Sequence, residues 1–419
     1  MIHEDYFLNI IRGYKTELDL TNEQRTLMIR YAATSRFVYN WGLRRRIDHY
    51  KATGKALSYF DQINQFSADR DVLFPWANDV SSKVAMCALE SLDKAFKNFF
   101  RRRKKGDVQK GFPKFKSRKD GIGSFRTRES IHVDEGRIKL SCIGWLRLKE
   151  KGYIPPGAIV KFATVSEVAG HWFVSAQIET ETSPCENQAG DVLGIDLGLS
   201  RFATCSDGTV FEHPKFLGRL LAKLKRLSRA FSRKIKGSAN WQKAKRLLAR
   251  LHYKITCQRR DFLHKISSLI SKYHPNVAVE DLTVRGMMKN RHLSRAISDS
   301  GWGEFVRQLG YKCRWAGGSL VKADRFFPSS KRCSRCGEIK KDLKLSDRTY
   351  SCPICGLVID RDLNAAINLA STARSAETYA CGEDGLLDSS SKQEPNRVEE
   401  ITHRYRIPDP VTFLRLVVE

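Results

Sequence analysis

Four cysteines near the C-terminal end of the chain have the spacing of a metal site. They form two Cys-x-x-Cys pairs, made of Cys333, Cys336, Cys352 and Cys355. Two such pairs at this separation are typical of a zinc ribbon, in which four thiolates bind one Zn²⁺. Because four thiolates leave no open position for water, we expect this zinc to be structural. Asp360 and Asp362 follow shortly after, so a candidate catalytic carboxylate lies beside the predicted zinc.

Three carboxylates occupy positions where an acid is costly unless it is paired or bound to a metal. Asp196 lies inside the apolar run 192–198, Glu280 ends the apolar run 276–280, and Asp362 opens a helix-like segment. Three carboxylates at the ends of separate core elements can hold two divalent cations, which activate water against a phosphodiester. Oxygen ligands favour Mg²⁺ or Mn²⁺. Taken singly, each acid could equally be a helix cap or a strand-end turn residue.

The segments around these acids predict an α/β domain that begins near Asp191. The apolar runs that carry Asp196 and Glu280 have the character of buried strands. Between them, residues 215–272 contain eighteen Lys or Arg and one acid, Asp261, on a helical pattern broken at Gly237. This pattern predicts an antiparallel helical hairpin with a basic outer face. So one-sided a charge favours nucleic-acid contact over a purely structural hairpin, because the cations would otherwise repel one another.

The N-terminal half predicts helices followed by short strands. Thr21 and Gln24 form a capping box before a helix that runs to about Tyr50, and a second helix over 80–100 is expected to pack on the first. After residue 124 the apolar residues alternate, which predicts a small β-barrel. The predicted strands are 137–140, 145–148, 159–165 and 171–178.

The charge of the chain indicates a polyanionic partner. Seventy-four Lys and Arg against 46 Asp and Glu give the 419-residue chain a formal charge of +28. Nucleic acid is the leading candidate, and a merely soluble basic protein is the alternative. The seven cysteines outside the ribbon show no pairing pattern, which suits a reducing cytosol. No stretch approaches the roughly 18 apolar residues of a membrane span, so a cytoplasmic location without a membrane partner is predicted.

Basic and aromatic residues alternate where the second predicted helix ends. Arg101, Arg102 and Arg103 close the helix, and Phe112 and Phe115 follow in a loop. The cations could contact phosphates while the rings stack on bases. A solvated helix end with two ordinary core anchors would have the same pattern, and the sequence leaves both interpretations open.

Several motifs resemble the transposon-associated TnpB family, and they occur in the order that this family has. They are Gly194-Ile-Asp196-Leu-Gly198, Val279-Glu280-Asp-Leu282, Phe327-Pro-Ser-Ser-Lys331, the four cysteines, and Asp360-Arg-Asp362-Leu-Asn364-Ala-Ala366. Together they span most of residues 191–370. The N-terminal half matches more loosely, chiefly at Arg36-Phe-Val-Tyr-Asn40 and Lys97-Asn-Phe-Phe100.

The resemblance implies a multidomain α+β protein related to type V CRISPR effectors. Its parts would be an RNase H-like (RuvC-like) α/β nuclease core with a zinc ribbon, a small β-barrel wedge domain and a helical recognition domain. The expected boundaries are 1–18 and 113–183 for the wedge, 19–112 for the recognition domain, 184–325 and 359–372 for the core, and 326–358 for the ribbon. The Ser- and Glu-rich composition after Ala370 predicts a flexible tail, 373–419.

The resemblance also implies an activity and partners. Family members cut DNA under the guidance of a transposon-derived RNA, so guide RNA and double-stranded target DNA are the expected partners. The family's three catalytic positions match Asp196, Glu280 and Asp362, with Mg²⁺ or Mn²⁺ as cofactor beside Zn²⁺. Asp362 is preferred over Asp360 because it directly precedes the Leu-Asn-Ala-Ala run.

Base pairing would read the target sequence, and the protein would read only a short duplex motif beside it. Tyr59, Ser82 and Lys83 are candidate readers of that motif, although Tyr59 could equally be a packing residue. Two other functions stay open at this point: an RNA-guided DNA-binding regulator without cleavage, and an accessory nucleic-acid-binding protein of a transposon.

Overall fold

The computed structural model describes residues 8–104, 111–118, 121–128, 130–141, 143–182, 191–344 and 346–380. The chain divides into two compact units, Met1–Ser183 and Pro184–Glu419. The finer division into seven segments, which the sequence predicts, stays a prediction.

The described part of the first unit contains the helices α1 (Asn22–Thr53), α2 (Tyr59–Leu73) and α3 (Ser82–Lys104), with the 3-10 helix Pro75–Asp79 between α2 and α3. The predicted capping box is confirmed, since the Thr21 side chain accepts the Gln24 N–H and the Gln24 side chain accepts the Thr21 N–H. The predicted packing of α3 on α1 is also confirmed, and it buries Val38, Leu43, Leu89 and Leu92. Helix α2 was not predicted.

The strands of the first unit form one antiparallel sheet of seven. They are β1 (Leu8–Asp19), β2 (Ser124–Thr127), β3 (His132–Asp134), β4 (Arg137–Leu140), β5 (Gly144–Leu148), β6 (Val160–Val168) and β7 (His171–Thr182). The four predicted strands correspond to β4, β5, β6 and β7. The order is β2-β6-β7-β1-β5-β4-β3, so the first strand of the chain lies between β7 and β5. Since β2 and β3 stand at the two ends of this order, closure into a barrel stays a prediction.

A mixed five-stranded sheet forms the centre of the second unit, in the order β10-β9-β8-β11-β12. The strands are β8 (Leu193–Leu197), β9 (Arg201–Cys205), β10 (Val210–Glu212), β11 (Val277–Glu280) and β12 (Leu320–Ala323). Strands β8, β11 and β12 are parallel to one another, whereas β9 and β10 run antiparallel to their neighbours. The carboxyl ends of the three parallel strands therefore meet at one edge of the sheet. The predicted mixed α/β character is confirmed.

The helices of the second unit are α4 (Phe216–Ser232), α5 (Ala239–Tyr273), α6 (Val284–Met287), α7 (Ser294–Ser300), α8 (Trp302–Trp315) and α9 (Arg361–Ala380). Helices α4 and α5 form the predicted hairpin, and Ser238 begins α5 by accepting the Trp241 N–H at 3.1 Å. Their facing sides bury an apolar cluster that includes Leu217, Leu224 and Leu248. The basic residues are thus left to the outer faces.

Helix α9 lies unusually close to strand β8. A Cβ atom on Gly194 would stand 1.9 Å from the Ala366 carbonyl oxygen and 2.6 Å from the Ala370 nitrogen. Only glycine permits this approach of two backbones. The side chains of α9 that face the strand are small, since Ala365 and Ala366 are buried there. This contact brings the beginning of α9, and with it Asp362, toward the strand that carries Asp196.

The last helix overlaps the predicted C-terminal tail. Helix α9 continues to Ala380, so the flexible tail predicted from residue 373 would begin inside a helix. The rest of that tail, 381–419, lies outside the described residues. Within the described ranges, no helix combines the length and apolar character that crossing a membrane requires.

Candidate metal centres

The four predicted zinc ligands come together at the tips of two similar turns. In the first turn Cys333 N–H donates to the Glu338 carbonyl at 2.7 Å, and in the second Cys352 N–H donates to the Leu357 carbonyl at 2.9 Å. Gly337 and Gly356 follow the second cysteine of each pair, with φ of +81° and +70°. This left-handed conformation is open to glycine at little cost, which explains a glycine at both positions.

The sulfur atoms have the arrangement that zinc requires. The Sγ atoms of Cys333 and Cys355 are 3.6 Å apart, and those of Cys336 and Cys352 are 3.5 Å apart. All four lie within 4.8 Å of one another. Tetrahedral Zn²⁺ with Zn–S bonds of about 2.3 Å has sulfur–sulfur edges of about 3.8 Å. The donor set and its spacing therefore fit a structural Zn²⁺.

The second candidate centre lies at the edge where the parallel strands end. Asp196 is the penultimate residue of β8 and Glu280 is the last residue of β11. The register pairs Ile195 with Val279, so the two acids follow neighbouring positions on adjacent strands. Asp362 lies in the first turn of α9, which packs on β8.

The charges of these three acids interact. Part of the Asp196 side chain reaches solvent, but protein atoms surround it so densely that burial is the largest cause of a raised pKa. The charges of Glu280 and Asp362 add to the effect, and together they raise the pKa of Asp196 to about 8. A divalent cation would offset these effects and favour the ionised form of Asp196. Oxygen donors of this kind fit Mg²⁺ or Mn²⁺.

The two aspartates before α9 have different surroundings. The Asp360 carboxylate accepts the backbone N–H groups of Asp362 at 2.9 Å and Leu363 at 3.2 Å, which makes it the cap of the helix. It also pairs with the Arg201 guanidinium at 2.9 Å. Burial acts to raise the pKa of Asp360, but these hydrogen bonds and the arginine charge outweigh it and lower the pKa. Among the described residues, the Asp362 carboxylate makes no hydrogen bond or ion pair of this kind.

Three side chains that the sequence analysis did not single out connect the two centres. The Ser329 hydroxyl donates to the Glu280 carboxylate, and the Ser329 carbonyl accepts the Asn368 amide at 2.8 Å. Asn368 also donates to the Arg332 carbonyl at 2.6 Å. Asn364 donates to the same carbonyl at 2.7 Å and accepts the Ser334 N–H at 3.0 Å. The loop that leads into the first cysteine pair is therefore fastened to α9.

A sequence signal for these residues was present. Ser329 lies in the Phe327-Pro-Ser-Ser-Lys331 motif, which entered the resemblance without a role. Asn364 and Asn368 are four residues apart on an otherwise apolar helix face, and both are fully buried. Buried amides at helical spacing require partners in the structure, so the pattern predicts a packed backbone segment against that face.

Replacing Asn368 with alanine is expected to loosen the loop before the zinc ribbon. The change leaves the Ser329 and Arg332 carbonyls with fewer donors, at a cost of about 1–3 kcal/mol. Hydrogen exchange of the backbone amides of residues 329–334 should become at least about tenfold faster. Ser371→Ala is the matched control, because this exposed hydroxyl donates to the Asn368 carbonyl within its own helix. Equal exchange in both variants would contradict the role given to Asn368.

The candidate nucleic-acid residues in the first unit occupy two kinds of environment. Tyr59 begins α2, and burial raises its pKa as the ring packs on the helical core. This placement favours packing for Tyr59. At the start of α3, Ser82 is exposed and Lys83 is partly buried.

At the other end of α3 the structure brings the cations and rings together. Phe112 contacts the rings of Phe96 and Phe99 edge-on, yet it is 48% exposed. Phe115 is 47% exposed, with the Arg44 guanidinium over its ring. Arg103 lies over the Phe99 ring. Arg101 and Arg103 are exposed, whereas Arg102 is partly buried. The two phenylalanines are thus anchored and accessible at once, so both interpretations of this segment stay open.

Three family models match the chain. Residues 175–291 match OrfB_IS605, described as "Probable transposase". Residues 302–369 match "Cas12f1-like, TNB domain". Residues 10–55 match a "Helix-turn-helix domain" model of the OrfB family, although here they form β1 and the single helix α1.

Two curated relatives align over nearly the whole chain. The Escherichia coli K12 protein named "Putative RNA-guided DNA endonuclease InsQ" is 34% identical over 94% of this chain and 99% of its own length. A Streptomyces pristinaespiralis protein named "Putative RNA-guided DNA endonuclease" is 38% identical over 92% and 96%. Among solved structures, the Cas12f1 chain of a complex with sgRNA and target DNA superposes with a TM-score of 0.56 at 13% identity. It covers 86% of this chain and 99% of the Cas12f1 chain, and it shares the fold.

Proposed function

Since the chain belongs to the OrfB family of IS605 elements, also called TnpB, we propose that it is an RNA-guided, divalent-metal-dependent DNA endonuclease. Two relatives with that name support the proposal, because they align with this chain over nearly its full length at 34% and 38% identity. The transposon-end RNA would select the target by base pairing, and the protein would hold the backbones and read a short flanking motif.

The observation that carries this proposal is the grouping of Asp196, Glu280 and Asp362. Burial, together with the charges of Glu280 and Asp362, raises the pKa of Asp196 to about 8, and Asp360 is occupied as a helix cap. Asp196, Glu280 and Asp362 would hold Mg²⁺ or Mn²⁺. When bound, such ions activate water and stabilise the leaving oxygen of a phosphodiester. Ser329, which donates to Glu280, would keep that carboxylate oriented.

The domain roles follow from the same family. The five-stranded sheet with α9 would be the RNase H-like nuclease core, and the four-cysteine segment would be its zinc ribbon. The seven-stranded sheet of the first unit would be the wedge domain, and α1 to α3 would be the recognition domain. Within the first unit, Ser82, Lys83 and the exposed arginines of α3 would contact nucleic acid, with Phe112 and Phe115 available for stacking.

The charge of the chain supports two nucleic-acid partners. A formal charge of +28 would be self-repulsive without a polyanion, and the α4–α5 hairpin concentrates eighteen cations against one acid between residues 215 and 272. A guide RNA together with target DNA supplies more phosphate than a single duplex motif would. Binding should therefore weaken steeply as salt increases.

The test is cleavage of matched DNA by the protein purified with its transposon-end RNA. We expect cleavage of a plasmid that carries the guide-matched sequence when Mg²⁺ is present. No cleavage is expected with a chelator or with a mismatched guide. Target binding without cleavage under all metal conditions would favour a regulator. Failure to retain any RNA would favour an accessory nucleic-acid-binding role.

A further inference from the structure

A strongly exposed aromatic ring lies near the site formed by Asp196, Glu280 and Asp362. Phe326 is 87% exposed, whereas the next residue, Phe327, turns inward and packs with Val192, Ala278 and Leu369. Exposing a phenylalanine to this extent forgoes most of the hydrophobic stabilisation that burial would give, so the ring is a candidate for a contact that this chain does not itself supply.

The loop that carries Phe326 is attached to Glu280 at both ends. Ala323 pairs with Glu280 in the register of β11 and β12. Six residues later, the Ser329 hydroxyl donates to the Glu280 carboxylate. The intervening residues must therefore span the edge of the sheet at Glu280, and Phe326 lies midway between the two attachments.

Hydrogen bonds within the loop hold its shape. The Asp324 carboxylate accepts the Phe326 N–H at 2.8 Å, and the Asp324 carbonyl accepts the Phe327 N–H at 3.1 Å. Arg325 pairs with Asp281, the residue after Glu280, at 3.1 Å. These contacts hold the backbone on both sides of Phe326. Its ring is therefore exposed to solvent at a defined position and not on a flexible segment.

The surroundings of the ring favour nucleic acid over a protein partner. Lys322, Arg325, Lys331 and Arg332 are exposed in the same segment. Apart from the proposed metal ligands, the acids nearby are Asp324, which accepts a hydrogen bond within the loop, and Asp281, which pairs with Arg325 and Lys322. A fixed aromatic ring among cations is the combination that binds single-stranded nucleic acid, since every base offers a π-face and the cations follow the phosphates.

We propose that Phe326 stacks on an unpaired nucleobase of the DNA strand whose phosphodiester enters the site formed by Asp196, Glu280 and Asp362. The inference rests on the proposed nuclease function and deepens it by naming the group that holds the strand at that site. Stacking three residues from Ser329 fixes the strand next to Glu280, which aids positioning of the phosphodiester.

The test uses photo-cross-linking in the presence of a chelator, so that no cleavage is needed. Full-length protein with its RNA is irradiated with single-stranded DNA carrying 5-iodouracil, and cross-linked peptides are identified by mass spectrometry. We expect a cross-link in the peptide that contains Phe326, absent from Phe326→Ala and present in Phe326→Trp. Phe326→Ala should bind the DNA at least about fivefold more weakly, as expected for one lost stacking contact.

Tyr273→Ala is the matched control. Tyr273 is also a strongly exposed aromatic residue, but it precedes β11 and so lies toward the end of that strand away from Glu280. Its loss should change DNA affinity by less than twofold. An unchanged cross-link or affinity in Phe326→Ala would overturn the inference. A change of oligomeric state in that variant, with the DNA cross-link retained, would overturn it in favour of a protein contact.

The two proposals can fail separately. If Phe326 cross-links to DNA but the protein cuts no matched DNA, the proposed nuclease function is wrong and the stacking site is supported. Guide-dependent cleavage with no effect of Phe326→Ala on cross-linking would leave the nuclease and remove the stacking site.

Discussion

Replacing Asp196 with asparagine is expected to abolish DNA cleavage and, at the same time, to stabilise the metal-free protein. Cleavage should fall at least about a thousandfold, because a metal ion contributes several kcal/mol to the transition state and each 1.36 kcal/mol is a factor of ten. The stability effect has a different origin. In the folded protein the pKa of Asp196 is raised from 3.8 to about 8.

The direction of the stability change follows from proton binding. Between pH 4 and pH 8 the folded chain keeps a proton on Asp196 that the unfolded chain has released. The free energy of unfolding therefore decreases as the pH rises through this range. Near pH 7 the ionisable side chain destabilises the metal-free fold, and asparagine removes the penalty. We expect a gain on the order of 2 kcal/mol, a fraction of what the full shift would imply.

Denaturant unfolding in a chelator at pH 4.5 and pH 7.5, together with cleavage in Mg²⁺, measures both effects. The stabilisation by Asp196→Asn should be clear at pH 7.5 and small at pH 4.5. Asp299→Asn is the control, because this buried carboxylate accepts the Leu217 N–H and pairs with Arg259 at 2.9 Å. That variant should lose stability at pH 7.5. Destabilisation by Asp196→Asn would show that the carboxylate has a structural partner and would remove it from the metal site.

The same carboxylate should make metal binding depend on pH. The cation requires ionised Asp196, so binding should strengthen as the pH rises toward about 8 and should release a proton. The acid is thus costly to the fold alone and useful once a cation is present. Such a conflict between stability and activity is expected if Asp196 belongs to the proposed catalytic centre.

Most of the predictable part of the site followed from the spacing of cysteines and acids along the sequence. The two Cys-x-x-Cys pairs predict a closed sulfur cluster because each pair fits one turn, and the structure brings all four sulfur atoms together. An acid inside an apolar strand predicts an unusual environment, which Asp196 has. The hairpin over α4 and α5 followed from leucines at helical spacing and from a break at Gly237 and Ser238.

Features that depend on distant partners were not predictable in this way. Helix α2 buries few side chains, among them Gln62 and Phe66, so it has little apolar periodicity. Helix α9 continues to Ala380 although its apolar pattern ends about ten residues earlier. The different surroundings of Asp360 and Asp362 depend on helix capping, which is local, and on Arg201, which becomes a neighbour of Asp360 only in the fold.

The spacing of Asn364 and Asn368 likewise could not identify the partners through which they link the two metal centres. Ser329 reaches back to Glu280, and Asn364 and Asn368 bind the segment that enters the first cysteine turn. One continuous loop therefore contacts a proposed Mg²⁺ ligand, helix α9 and a predicted zinc ligand. Loss of zinc should consequently change the position of Asp362 as well as the structure of the ribbon.

Replacing Cys333 and Cys336 together with serine is expected to remove the zinc, unfold the ribbon and displace the start of α9. Structural zinc supplies folding free energy directly, so two missing thiolates should leave the segment without its main support. Cleavage should fall at least about a hundredfold, since an error of about 1 Å in the position of a reacting group has an effect of this size. Zinc content by mass spectrometry and cleavage of matched DNA measure the two consequences.

Cys257→Ser is the control, because this partly buried thiol lies on α5 outside the cluster and should leave zinc content and cleavage unchanged. Full cleavage by the Cys333→Ser, Cys336→Ser variant would contradict the connection between ribbon and acid site. The two losses of activity are distinguishable by stability. Asp196→Asn should raise the stability of the metal-free protein at pH 7.5, whereas loss of the zinc ligands should lower the stability of the second unit. Stability changes of opposite sign in the two variants would distinguish a cation that supports catalysis from one that stabilises the fold.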